Sequence, residues 1–182
     1  GGDAYVNNAG AVTLAGQSSN NAGINVSTTN GTITVGKVNV ATVVTPSTGN
    51  AVGWDNNPNG TPLAAGANLT GVNANGSGNV VLTANGTSSN VLINQSVTSG
   101  SGAITATADT NVVFNNGVVQ TGTGATGIVN LNATNGQVID NEAASKPVVI
   151  GNTLNATAAN GIGTVATGPG VAGDLATQIG TL

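Results

Sequence analysis

The chain has 182 residues, of which 107 are Gly, Asn, Thr or Val, and its only charges are Lys37 and Lys146 against Asp3, Asp55, Asp109, Asp140, Glu142 and Asp174. Two lysines without arginine cannot neutralise a phosphate backbone, which excludes nucleic-acid binding, and the lack of His and Cys removes disulfides, thiolate metal sites and most acid–base machinery. Three aromatics, Tyr5, Trp54 and Phe114, exclude a thick globular core, while dense β-branched residues and a mean hydropathy of +0.17 exclude the composition of a disordered chain.

In chain order, residues 11–14, 23–26 and 32–35 alternate apolar and polar side chains and are predicted as short strands, and 37–44 continues the pattern. Residues 45–77 break it. They hold Pro46, Pro58 and Pro62, Trp54 and the run Asp55-Asn-Asn-Pro-Asn-Gly60, and are predicted as an irregular insertion or looped coil within one domain spanning 1–182.

From Gly78 onward a repeat emerges, with strand-like runs opening at Gly78, Gly102, Gly127 and Gly151, spaced by 24, 25 and 24 residues. Within the first three runs, alternate positions are apolar: Val80, Leu82 and Ala84; Ile104, Ala106 and Ala108; Val129, Leu131 and Ala133. These nine are predicted to stack inward as the core. The fourth run slips by one, so that Leu154, Ala156 and Ala158 take the apolar phase, which requires a bulge or a changed loop. Second strands at 90–94, 111–115 and 136–140 complete each period, and no window shows helical spacing with caps.

Asn-Gly pairs at Asn30, Asn59, Asn75, Asn85, Asn116, Asn135 and Asn160 mark tight corners. Alone they fit either antiparallel hairpins, and hence a β-sandwich adhesin module, or the corners of a coil. The in-phase period of about 24 residues favours the coil: an all-β, parallel β-helix (β-solenoid) of seven or so turns, roughly 35 Å long at one strand spacing per turn.

The runs 78–86, 97–106 and 127–136 resemble the strand repeats of filamentous-haemagglutinin-like adhesins and related giant β-strand-repeat bacterial surface proteins. That resemblance implies a right-handed parallel β-helix, export across an outer membrane, display at the cell surface and no catalytic residues. Neither a two-partner secretion domain nor a membrane barrel is visible in the 182 residues, so no export route is implied. In such repeats, segments like 160–164 and 176–182 run on into one like 5–14. The chain therefore reads as one period of a longer array, or as a subunit whose ends continue the solenoid of the next copy. Neither end carries an amphipathic or charged cap.

The remaining candidates for chemistry are few. Asp140 and Glu142 form the closest carboxylate pair in sequence and, with Asp55, are the only candidate calcium ligands. A solvated turn with Asx hydrogen bonds is the preferred reading of Asp140-Asn-Glu142 and Asp55-Asn-Asn57. Trp54 is either a partner or carbohydrate contact projecting from the insertion or a local loop anchor. Thr-x-Thr pairs at Thr32/Thr34, Thr105/Thr107 and Thr121/Thr123 do not recur in register and read as ordinary strand threonines. The expectation is thus a non-enzymatic, extracellular structural or adhesive segment. It stacks with itself and meets a cell-surface glycan or protein, without cofactor or membrane insertion. A carbohydrate-binding or polysaccharide-active β-helix is the rival.

Overall fold

The computed structural model describes residues 3–18, 21–39, 51–55, 68–122, 127–142, 146–163 and 174–181. The described residues wind through six levels. The first holds β1 (Ala4–Asn8) and β2 (Val12–Gln17). The second holds β3 (Ile24–Thr28) and β4 (Ile33–Val35), departs through β5 (Lys37–Asn39), β6 (Ala51–Asp55) and β7 (Asn68–Thr70), and closes with β8 (Val72–Ala74). The third comprises β9 (Val80–Ala84), β10 (Val91–Ile93) and β11 (Val97–Ser99). The fourth comprises β12 (Ile104–Ala108), β13 (Val112–Phe114) and β14 (Val119–Gln120). The fifth runs through β15 (Ile128–Ala133), β16 (Val138–Asp140) and the start of β17 (Val149–Ala158). The rest of β17, with β18 (Ile162–Gly163) and β19 (Thr177–Thr181), makes the sixth.

Successive levels pair in parallel along three faces. On the first, β1, β3, β9, β12, β15 and the second half of β17 form one ladder. The second face stacks β2, β4, β10, β13, β16 and β18. The third stacks the end of β2 on β8, β11, β14, the start of β17 and β19. The only antiparallel pair among the described residues is β5 with β7. The molecule is therefore a parallel β-helix, and a sandwich of hairpins is ruled out by strand direction. Of the seven Asn-Gly pairs, Gly76, Gly86 and Gly161 take positive φ at corners between parallel strands.

The nine repeat positions occupy three register columns and are all buried, with Val80 opposite Ile104 and Ile104 opposite Val129. Each side chain thus packs on its equivalent one strand spacing above and below, which lets small β-branched residues fill a narrow interior. Phe114 is the largest fully buried side chain among the described residues. Leu154, Ala156 and Ala158 stand opposite Val129, Leu131 and Ala133, so the slip in the fourth run is real. Its cause is β17 itself. This ten-residue strand turns from the third face to the first without a loop, and Asn152 rather than Gly151 arrives at the position of Gly127.

Two differences from the sequence reading concern the insertion. It leaves the array after Val35, not at residue 45, because β5 pairs sideways with β7. It ends at Gly71, since β8 stands in register with β11 on the third face. Those residues are spent outside the coil, and the array therefore has six levels, not seven, with about 24 Å from the first strand to the last. Pro46, Pro58 and Pro62 lie outside the described residues.

Candidate functional site

Between coils, side chains repeat with the backbone. Asn115 donates its amide to Asn94 Oδ1 at 3.0 Å and accepts from Asn141 Nδ2 at 2.8 Å, a two-rung ladder of three asparagines just past the second face. A second ladder runs along the outside of the first face, where Asn130 donates to Thr105 Oγ1 and Asn155 donates to Asn130 Oδ1. At the corner after the third face, buried hydroxyls of Ser18, Ser99 and Thr121 donate to the carbonyls of Ala22, Gly78 and Gly102 at 2.5, 2.8 and 2.6 Å. Each supplies a hydrogen bond to a carbonyl that the ladder leaves over at a corner.

Asp140 sits where the sequence reading did not put it. Its strand partner is Phe114, and the column continues through Ile93, Val35 and Leu14, all core residues. The carboxylate is therefore inside, 2% exposed, and not in a solvated turn. One oxygen accepts the Glu142 amide at 2.8 Å, the Asx hydrogen bond expected from the sequence, and the other accepts the Ala176 amide at 3.1 Å. Both oxygens are thus engaged by backbone N–H groups. They tie the fifth coil to the segment that enters β19.

The other candidates are not brought to Asp140. Asp55 lies in β6 opposite Gln17, at least about 24 Å along the axis from Asp140, and its side chain is outside the described residues. Among the described residues no group of three acidic side chains gathers. Trp54 has its backbone opposite Gly16, in the register column of Val72, Val97 and Val119; its side chain is also outside the described residues. The threonine pairs are dispersed: Thr105 and Thr107 are on the first face, Thr34 is on the second, and Thr121 is buried.

The insertion is anchored by a short stem. The Gly71 amide donates to the Gly36 carbonyl and the Gly16 amide to the Gly71 carbonyl, both at 2.9 Å, while Val38 and Leu69 bury against Ala15. Gly71 has φ of +72° and passes so close to the Ser96 carbonyl that a Cβ would lie 2.3 Å from it. No other residue fits there without moving one strand. Beside the stem opens a cleft of about 260 Å³ whose polar lining is Gln17, Thr70, Asn73, Ser96 and Thr98, all uncharged.

The feature most unlike the middle of the rod is its two ends. At one, β1 pairs with β3 alone, Ala4 and Val6 are only partly buried, and Tyr5 is 73% exposed. At the other, among the described residues, the partner of residues 154–158 is β15 alone and β18 and β19 each have a partner on one edge only. Leu154, Ala156, Ala158 and Ile179 cover the core from one side and are half open on the other, and Ile162 is 44% exposed. Sequence reasoning did not find the strand β6 that partly covers one end. No protein-family model, curated protein or solved structure matches this chain.

Proposed function

We propose that this chain is a structural segment of an extracellular surface rod or filament, extended end to end by further solenoid coils and able to carry adhesive contacts on its flanks. The observation that carries the proposal is the pair of uncapped ladder ends on the first face. Among the described residues each has a strand edge with no partner and a row of half-covered core side chains, and the two are the first and last rungs of one set of columns. An exposed parallel edge of this kind is a template for another strand.

If the columns continue from one unit to the next, Leu154 lies over Ala4, Asn155 over Tyr5, Ala156 over Val6 and Ala158 over Asn8. Leu154 on Ala4 and Ala156 on Val6 are apolar on apolar within, Asn155 on Tyr5 is polar on amphipathic without, and Ala158 on Asn8 sets an apolar on a polar residue as Ala84 on Thr28 does inside the rod. The test is electron microscopy and fibre diffraction of the concentrated protein, with filaments and a meridional repeat of about 4.8 Å expected. Ala156→Lys places an ammonium where the next coil would bury it, yet the end position leaves that group free to reach water in the single rod. It is expected to abolish elongation while leaving the melting of the single rod nearly unchanged. Elongation undiminished in that variant would overturn the reading.

A second reading, that the segment binds neutral glycans, has its own observation in the uncharged polar cleft beside the stem. Amide and hydroxyl groups on a rigid strand surface suit sugar hydroxyls. Titration with neutral oligosaccharides should show binding that Asn73→Ala weakens; a panel without binding removes this reading and leaves the first intact.

A further inference from the structure

β6 is parallel to β2 and pairs with it from Thr13 opposite Ala51 to Gln17 opposite Asp55. The same β2 residues already have partners in the second level: Thr13 and Leu14 in β4, Gly16 and Gln17 in β8. A strand has two edges, so β6 lies on the outer one, at the level a preceding coil would occupy. From this we infer that β6 is a built-in competitor for end-to-end joining: a tethered strand that fills part of the place of the incoming unit's last coil and must leave before that unit can seat fully. The inference rests on the stacking reading above and concerns its regulation.

The register makes the competition specific. β18 belongs to the column set of β2, with Ile162 in the column of Val12 and Gly163 in that of Thr13. β19 belongs to the third face, with Thr177 in the column of Gly16 and Gln178 in that of Gln17. An incoming copy would therefore set Gly163 opposite Thr13, Thr177 opposite Gly16 and Gln178 opposite Gln17. These sites are held by Ala51, Trp54 and Asp55. The edge of β1 is not covered by β6, so an arriving unit can form its first-face ladder before it meets the obstacle.

Tethering gives β6 the advantage. A strand on a short covalent loop competes at an effective concentration of about millimolar, against a second copy present at its actual concentration. Elongation should thus be held back in dilute solution and released when β6 is displaced.

The cysteine-free chain permits a direct test on the full 182 residues. The paired substitutions Thr13→Cys and Ala51→Cys place thiols at one register pair, so oxidation locks β6 on β2 and reductant frees it. The paired substitutions Val52→Pro and Gly53→Pro remove two successive amides, one of which faces β2 whichever way the strand lies. Hydrogen exchange at the amides of β6 reports release. Light scattering across a concentration series should show the locked chain monomeric where the reduced chain elongates, and the proline chain elongating at a concentration at least about tenfold lower than the parent. Equal elongation of locked and reduced chains, with the disulfide verified by mass, overturns the role of β6 and leaves stacking in place. A reduced chain and a proline chain that both stay monomeric at millimolar concentration overturn the stacking reading and this inference together.

Discussion

Asp140 is a carboxylate buried in the core, and its place in one strand puts it there. Residues 136–140 alternate, so Val138 and Asp140 share a face, and Val138 is in the core. A carboxylate on that face can persist only if its oxygens are satisfied, and the amides of Glu142 and Ala176 do so. Asp140→Asn replaces one acceptor oxygen by a donor facing an N–H. It should cost about 1.5–3 kcal/mol, with the loss concentrated at β19. Hydrogen exchange should show Ala176 and β19 opening while β12 stays protected. A uniform loss of protection would contradict the local role. Gly102 makes a sharper steric test. A Cβ there would lie 2.2 Å from the Gly78 carbonyl oxygen, while one at Gly10 would meet nothing within 4 Å. Gly102→Ala should therefore destabilise by about 1–3 kcal/mol, and Gly10→Ala should leave the denaturation midpoint almost unmoved.

The unit of stabilisation at the level of elements is the column, not the single strand. Each short strand has little of its own to bury, and several are only two or three residues long. Stacking turns them into continuous rows of Val, Ile, Leu and Ala inside and of Asn and Thr outside. The Asn94, Asn115 and Asn141 ladder shows how such a row divides its energy. Asn115 makes two rungs and Asn141 one. Asn115→Ala should cost about 1–2 kcal/mol and Asn141→Ala about half of that, measured as urea midpoints. Equal costs would mean that the rungs contribute nothing beyond their local turns. The strand β5 carries a different lesson. Val38 flanked by polar residues is the same signal in an array strand and in a side stem. Alternation specifies that a strand has two faces but not which neighbour it pairs with, so sequence assigned it to the coil and the structure to the insertion.

For the whole molecule, the scarcity of charge makes a prediction that few proteins allow. Only eight side chains carry charge, and the interactions within and between coils are mostly apolar contacts and neutral hydrogen bonds, with carboxylate hydrogen bonds confined among the described residues to Asp3, Asp109 and Asp140. Screening has little to act on. The melting temperature should shift by less than about 3 °C between low salt and about 1 M sodium chloride. A large shift would reveal an electrostatic term that the packing does not contain. If the rod elongates as proposed, the covering of its ends, by β6 or by another unit, would set when it does so.

Much of this was legible from residues alone. The β-solenoid class, the repeat near 24 residues, the nine inward positions, the slipped fourth run and the corner role of Asn-Gly are consequences of strand alternation and periodicity, which are local properties of the chain. What only the tertiary structure decided is pairing across distance: six levels instead of seven, the true limits of the insertion, the burial of Asp140 against Ala176, and the return of β6 to the outer edge of β2. Alternation tells each strand which way its side chains face, but a strand edge accepts any partner that presents matching amides and carbonyls. The choice among partners is made by the register of the whole coil.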